Sequence, residues 1–267
     1  MTRFRLDLAY DGTDFHGWAS QPGLRTVQGE LQTWIGRVLR LAAPVELTVA
    51  GRTDAGVHAS GQVAHVDLEA DDPAALAAVL GRRLNRALPP DLVVNRVSVA
   101  HADFDARFAA IWRRYRYRMA RTPVDPLQRH LVAGLRQPFD AAAADAAADR
   151  LIGLHDFAAF CRHREGASTI RNLQELSVML GDTGVFEVEV RADAFCHSMV
   201  RSLVGALVRV GSGDRDADWL ESLLGRRTRC GEIPVMPAHG LVLEEVRYPP
   251  DDQLAARQME SRARRDS

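Results

Sequence analysis

Hydrophobic residues follow two different periods along the first part of the chain. A period of two, in which every second residue is apolar, is typical of a β-strand with one buried face. A period of three to four is typical of an amphipathic helix, and it predicts helices over residues 26–41 and 73–87. The predicted strands are residues 3–10, 45–49, 63–68 and 92–99. This succession of strands and helices predicts an α+β fold.

The second part of the chain continues with further alternating strands and with a helix predicted over residues 195–211. The proline-containing segment 123–138 is predicted to connect two halves of the molecule. We therefore expect an N-terminal α+β half over residues 1–122 and a C-terminal α+β half over residues 123–250. The charged segment 251–267 is expected to be a disordered tail.

The composition restricts the chemistry that the chain can perform. A hydrophobic content of 46% in 267 residues is enough for a large core. The net charge is −1, so any nucleic-acid surface must come from local clustering of basic residues. All 34 basic residues are arginine, and the absence of lysine excludes a P-loop lysine and a Schiff-base lysine.

Three cysteines, Cys161, Cys196 and Cys230, are far apart in the sequence and occur in no C-x-x-C motif. A cysteine zinc site and a disulfide framework are therefore both unexpected. The first residues lack an apolar signal core, and the longest apolar runs are too short to span a bilayer. We expect a soluble cytoplasmic protein with no membrane contact and no metal.

Candidate chemistry is concentrated in the glycine-rich segment 50–65. Arg52 and Asp54 are two residues apart, so in an extended segment both side chains leave the same side of the backbone. An arginine keeps a neighbouring carboxylate ionised, and an ionised aspartate at a strand end is a candidate nucleophile or base. The spacing alone favours a simpler interpretation, in which Asp54 belongs to a turn with a surface ion pair.

A second informative segment, residues 112–118, interleaves arginine with aromatic residues. Aromatic side chains that stack on bases, beside guanidinium groups that bind phosphate, are a common way to hold single-stranded RNA. The alternative is a strand with a solvated arginine face and an aromatic face in the core. A strand would present Arg114, Arg116 and Arg118 on one face, and Arg113, Tyr115 and Tyr117 on the other.

Several segments together resemble one known family. The runs YDGTDFHGW at residues 10–18, AGRTDAGVHASGQVAHV at 50–66 and PAHGLVL at 237–243 are similar to motifs of the tRNA pseudouridine synthase A family. So are the segments FDARF and RRYRY and the segment FCHSMVRSLVG. The resemblance covers roughly residues 3–248. It implies a pseudouridine synthase fold, in which two similar α+β halves share a central mixed sheet with a cleft between them.

The resemblance also implies roles for individual residues. Asp54 occupies the position of the catalytic aspartate, Arg201 that of the arginine that pairs with it, and Tyr115 that of the tyrosine that stacks on the target base. Asp105 and Ala19 stand where the family has His and Gln. Further candidates are Arg52 for extruding the nucleotide or occupying its place, and Arg107, Arg116 and Arg118 for contacting RNA. His197 is a candidate for a structural role or for contact with RNA.

The activity implied by the resemblance is isomerisation of uridine to pseudouridine at positions 38 to 40 of the tRNA anticodon stem-loop. The resemblance implies no cofactor, and it implies a homodimer that binds tRNA across both subunits. Asp54 would add to C6 of the base, capture C1′ of the ribose or take the 2′ proton, and the sequence does not choose among these courses.

Two other functions are compatible with the sequence. A non-catalytic RNA-binding module would use the arginine and tyrosine residues of segment 112–118. A metal-dependent phosphodiesterase would use Asp54, His58 and His65 as ligands, although these residues have no recognised ligand spacing. A turnover assay on tRNA distinguishes the first from an isomerase.

Overall fold

The computed structural model of the chain describes residues 1–162, 164 and 166–263. They form two compact units, the first made of Met1–Ile111 with Leu243–Ala263 and the second of Trp112–Val242. Each unit contains helices and a sheet, which confirms the predicted α+β class. None of the helices in the described ranges is long and apolar enough to cross a membrane.

Helices and strands follow each other along both units, with bounds that differ in places from the predicted ones. The first unit begins with β1 (Thr2–Tyr10), α1 (Val27–Leu39), β2 (Thr48–Val49), β3 (His58–Leu68), α2 (Pro73–Ala87) and β4 (Leu92–Val99). The second unit contains β5 (Trp112–Arg121), β6 (Ala133–Leu135), α3 (Ala141–Ala148), β7 (Gly153–Asp156), β8 (Ile170–Leu180), β9 (Val185–Ala192), α4 (Met199–Gly211) and α5 (Ala217–Ser222). Strand β10 (Leu241–Arg247) leads the chain back into the first unit, which ends with α6 (Leu254–Arg262).

The sheet of the first unit has the order β4-β1-β3-β10, and β2 pairs with the C-terminal half of β3. β1 is antiparallel to both of its neighbours. Its inward residues Phe4, Leu6 and Leu8 are fully buried, and burial of each such side chain contributes about 1.5–3 kcal/mol to stability. The predicted N-cap of α1 is confirmed, since the Thr26 hydroxyl accepts a hydrogen bond from Gly29 N at 3.2 Å.

The sheet of the second unit has the antiparallel order β5-β9-β8-β7, with β6 added parallel to β5. The predicted alternation of β5 is confirmed. Arg113, Tyr115 and Tyr117 are buried on one face, whereas the intervening arginines are partly exposed on the other. The helix predicted over residues 195–211 begins later, at Met199, because Ser198 has a left-handed φ of 63°.

The structure corrects the predicted domain boundaries. β5 was expected to end the N-terminal half, but it belongs to the second unit, because its backbone pairs with β9 over eight residues from Arg113 to Ala120. Part of the segment 251–267 that was predicted as a disordered tail forms α6 over Leu254–Arg262, whereas residues 264–267 lie outside the described residues. Leu254 is buried in the first unit, and the Arg257 guanidinium donates to Ala110 O at 3.2 Å, so a few specific contacts order a polar segment.

The expectation that the chain has no disulfide is also wrong. Cys161 and Cys196 form a disulfide bond in the second unit, with their Cα atoms 5.7 Å apart, and Cys230 is a buried free thiol. The bond joins the end of a short 3₁₀ helix to the segment before α4. Closing a loop with a sequence separation of 35 restricts the unfolded chain, an effect of about 3–4 kcal/mol for loops of this size.

Gly240, immediately before β10, allows the backbone to approach β5 closely. The Tyr117 ring is fully buried, and its hydroxyl donates to Pro237 O at 3.0 Å. A Cβ atom on Gly240 would lie 2.6 Å from Cζ of Tyr117 and 2.8 Å from Arg118 O. Only glycine fits there without a shift of the ring or of the β5 backbone.

We predict that Gly240→Ala destabilises the second unit, because the added methyl group forces buried Tyr117 out of place. Overpacking of this kind costs about 1–3 kcal/mol, and each kcal/mol lowers the melting temperature by about 2–4 °C in a chain of this size. The control is Gly231→Ala, whose Cβ meets no described atom within 4 Å. Equal melting curves for the two variants would contradict this explanation of Gly240.

Candidate active site

The segment 50–57 connects β2 to β3 and contains both Arg52 and Asp54. Its first residue is fixed by a hydrogen bond from Ala50 N to Val63 O at 2.8 Å. A turn closes at its other end, where Val57 N donates to Asp54 O at 3.1 Å and Gly56 has a φ of +77°. Arg52 is exposed, Thr53 is buried and Asp54 is half-buried. We call residues 50–57 the aspartate loop.

A buried hydrogen-bond network lies beneath the aspartate loop. The Tyr10 hydroxyl and Thr53 Oγ1 are 2.8 Å apart. Gln62 Nε2 donates to the Tyr10 oxygen at 3.1 Å and to Gly51 O at 2.8 Å. Burial raises the pKa of Tyr10 to about 12, although the hydrogen bonds to Thr53 and Gln62 oppose this rise. The Tyr10 hydroxyl therefore keeps its proton and can donate it to Thr53.

The segment after β1 holds the other side of the aspartate loop. Trp18 N donates to Thr53 O at 3.0 Å, and Gly56 N donates to Phe15 O at 3.3 Å. Gly17 has a φ of +87°, and a Cβ atom on it would lie 2.8 Å from Thr53 O. The motif YDGTDFHGW therefore supports the loop that carries Asp54, and its glycine is required by both backbone conformation and space.

The two histidines of the metal-dependent alternative have other roles in the first unit. His58 Nδ1 accepts a hydrogen bond from Gly12 N at 2.9 Å, and His65 Nδ1 accepts one from Ala106 N at 3.0 Å. Burial and the charge of Arg3 lower the pKa of His65, so it acts as a neutral acceptor. Within the described ranges, no group of three His, Cys, Asp or Glu residues is arranged to hold a metal ion.

Arg107 also belongs to the first unit, in a turn before β5. Its side chain is exposed, with the guanidinium 4.9 Å from the centre of the Phe108 ring. Asp105, which replaces the histidine of the family motif, accepts hydrogen bonds from Arg107 N and Phe108 N at 2.8 and 2.9 Å. Asp105 therefore caps this turn, which explains the carboxylate at that position.

Tyr115 and Arg201 belong to the second unit. Tyr115 is 7% exposed and meets the Phe195 ring edge-on, with ring centres 5.1 Å apart. In the first turn of α4, Arg201 Nε donates to Met236 O at 2.6 Å, and Met236 N donates to Arg201 O at 3.2 Å. Burial raises the pKa of Tyr117, and the positive charge of Arg201 partly opposes this rise.

Arg116 and Arg118 lie on the opposite face of β5 from Tyr115, where they form what we call the Arg–Glu ladder with β9. Arg116 contacts Glu187 at 2.7 Å and Glu189 at 3.0 Å, and Arg118 contacts Glu187 at 2.9 Å. Burial raises the pKa of Glu187, but hydrogen bonds from Arg118 and Arg116 outweigh burial and leave it below the usual value.

The ladder changes the interpretation of the arginine-rich strand. Arg116 and Arg118 face away from a base stacked on Tyr115, and carboxylates already neutralise much of their charge. The structure therefore does not bring these two arginines together with Tyr115, and their contact with RNA stays a prediction. His197, also predicted to contact RNA, is exposed, and its carbonyl accepts a hydrogen bond from Arg162 N at 3.0 Å.

Comparison with known proteins gives the class of the chain. A family model described as tRNA pseudouridine synthase matches residues 147–249. The tRNA pseudouridine synthase A of Cutibacterium acnes is 57% identical over 99% of this chain and 95% of its own length. Proteins of the same name from Frankia casuarinae and Streptomyces avermitilis are 53% and 54% identical, over 98% of this chain and 95% and 94% of their own lengths.

The chain belongs to the tRNA pseudouridine synthase A family. It is therefore an isomerase with the pseudouridine synthase fold, as the sequence motifs predicted. The sequence interpretation missed the Tyr10–Thr53–Gln62 network. One signal could have revealed it, because Gln62 is a polar residue at an inward position of β3, where it is fully buried.

We predict that Tyr10→Phe lowers both stability and the rate of pseudouridine formation. The substitution removes the hydrogen bonds of the Tyr10 hydroxyl to Thr53 and Gln62, which costs about 1–3 kcal/mol when the remaining groups are buried. The aspartate loop loses its support, and misplacement of a reacting group reduces a rate by up to about 100-fold. Melting curves and single-turnover assays measure the two effects.

The control for this prediction is Tyr248→Phe. It also removes a hydroxyl hydrogen bond in the first unit, from Tyr248 to Ala106 O at 2.7 Å, but away from the aspartate loop. It should lower stability without lowering the single-turnover rate. A Tyr10→Phe variant as active as Tyr248→Phe would show that the network does not position the aspartate loop.

Proposed function

We propose that this enzyme isomerises uridine to pseudouridine at positions 38 to 40 of the tRNA anticodon stem-loop, with the Asp54 carboxylate as the reacting group. The observation that supports this most directly is the placement of Asp54 in a braced, half-buried turn beside exposed Arg52. The names of the relatives, which are tRNA pseudouridine synthases, support tRNA as the substrate.

The reaction requires no oxidant and no external group. The N1–C1′ bond breaks, the uracil turns, C5 bonds to C1′, and the proton lost from C5 is balanced by one gained at N1. One ionised carboxylate next to an extruded nucleotide can add to C6, capture C1′ or take the 2′ proton. All three courses need the same charged oxygen, so each one is compatible with the geometry of Asp54.

Other residues have supporting roles in this proposal. Arg52, exposed two residues before Asp54, would occupy the space that the extruded nucleotide leaves. Tyr115 would stack on the uracil, since the edge-on contact with Phe195 fixes the orientation of its ring. Arg201, whose Nε is held by Met236 O, would orient the reacting carboxylate as the family motif implies. His197 and Arg107, both exposed, would contact the RNA around the target nucleotide.

The proposal also includes a homodimer in the cytoplasm, where its tRNA substrate is found. The resemblance of the whole chain to a family expected to bind tRNA across two subunits supports this assembly. Sedimentation of the purified protein at the concentration of the activity assay measures the mass, and a mass of about 29 kDa, that of one chain, would contradict it. Cell fractionation checks the location.

We predict that Asp54→Asn folds and binds tRNA but loses pseudouridine formation by several orders of magnitude. Asparagine keeps nearly the same shape and can occupy a turn, but it has neither the negative charge nor the nucleophilic oxygen. The measurement is single-turnover release of tritium from C5-labelled uridine in tRNA, together with a binding titration and a melting curve.

The matched control is Asp72→Asn. Asp72 is the N-cap of α2, where its side chain accepts a hydrogen bond from Ala75 N, and asparagine caps helices equally well. This variant should retain tritium release. Near-normal tritium release by a well-folded Asp54→Asn variant would show that Asp54 has only a structural role, and it would overturn the catalytic assignment.

A further inference from the structure

Three segments of the second unit meet beside the beginning of α4. Cys230 N donates to Ala159 O at 3.0 Å, which joins the segment before Cys230 to the end of a 3₁₀ helix. Arg162 N donates to His197 O at 3.0 Å, and the disulfide joins Cys161 to Cys196. Two hydrogen bonds and one covalent bond therefore hold the three segments together.

Four exposed arginines of these segments form what we call the arginine rim: Arg162, Arg164, Arg227 and Arg229. Arg226 is also exposed but lies 3.9 Å from Glu232, and we do not include it in the rim. Arg227 contacts Asp156 at 3.1 Å, but its side chain remains 74% exposed. The described residues provide no carboxylate partner for Arg162, Arg164 or Arg229. The rim therefore differs from the Arg–Glu ladder of the same unit, in which glutamates already occupy the guanidinium groups.

We propose that the arginine rim binds the phosphate backbone of the tRNA substrate. Guanidinium groups bind phosphate oxygens in a planar, bidentate manner, and they keep their charge at every physiological pH. The chain has a net charge of −1, so attraction to RNA must come from local groups of this kind. The proposal depends on the tRNA substrate of the proposed function, and it adds a binding surface to it.

The rim is attached to the segment before α4, and this attachment fixes where a bound phosphate would lie. Arg162 is bonded through its backbone to His197, four residues before Arg201 on the same stretch of chain. A phosphate held by the rim is thereby fixed relative to the first turn of α4. Because the disulfide and the backbone hydrogen bonds already order the segments, binding costs less conformational entropy than it would on a free loop.

The test compares two double variants by the salt dependence of tRNA binding. Arg162→Gln with Arg229→Gln removes two rim charges. The control variant, Arg150→Gln with Arg209→Gln, removes two partly exposed arginines of the same unit, each of which contacts a carboxylate at 3.0 Å. Each lost phosphate contact lowers the slope of log affinity against log salt by about one unit. We expect the rim variant to lose about two units of slope with an unmodified tRNA transcript, and the control variant to keep the wild-type slope.

A second measurement separates binding from chemistry. At saturating tRNA the rim variant should turn over at the wild-type single-turnover rate, whereas its half-saturating tRNA concentration rises by about tenfold or more. A well-folded rim variant with an unchanged slope, or a control variant with an equal loss, would overturn the proposal. If the double rim variant melts early, the exposed single variant Arg229→Gln replaces it, with an expected loss of about one unit.

The proposed function can fail independently of the rim. If Asp54→Asn stayed active, the catalytic assignment would be wrong, but the difference in slope between the rim variant and the control variant would be unaffected. If the rim variant bound tRNA normally and only its saturated rate fell, the rim would act in chemistry and the binding proposal would be wrong.

Discussion

Burial of polar groups beside the aspartate loop is the constraint on which the first unit depends. The Gln62 side chain and the Tyr10 hydroxyl are removed from water, and leaving either without a partner would cost more than a typical hydrogen bond contributes. Both requirements are met by a single arrangement, in which the end of β1, the middle of β3 and the aspartate loop are mutually fixed. The hydrogen bonds that these buried groups require therefore determine where Asp54 lies.

In the second unit, the main electrostatic constraint is the high density of arginine in one strand. Its strand β5 carries four arginines within six residues, from Arg113 to Arg118. Arg113 is buried and donates to Asp193 O at 2.6 Å, while the arginines of the other face contact glutamates of β9. The arginines that the sequence suggested for RNA binding are therefore already bonded to other residues of the sheet. The four arginines of the rim, by contrast, remain exposed.

Local patterns predicted the local structure well. The periods of two and 3.6 found β1, α1 and β5 because each depends on residues that are near in sequence. The motif containing Asp54 was recognised because its glycines and its aspartate occupy one short loop.

Features that depend on residues distant in the sequence were not predicted. Glu187 is 69 residues from Arg118, and Cys161 is 35 from Cys196, so only the folded chain shows that they meet. Helix α6 was missed because its composition is polar and its contacts are tertiary.

The alternation of β5 has a consequence for how this strand can change during evolution. Side chains in a strand alternate with a period of two, so inserting or deleting one residue exchanges the two faces beyond that point. In β5 the exchange would move guanidinium groups into the space of Tyr117 and tyrosine rings toward Glu187 and Glu189. Point substitutions can be tolerated on either face separately, but a change of length would damage both at once. The length of β5 between Trp112 and Arg121 is therefore more constrained than the identity of most residues within it.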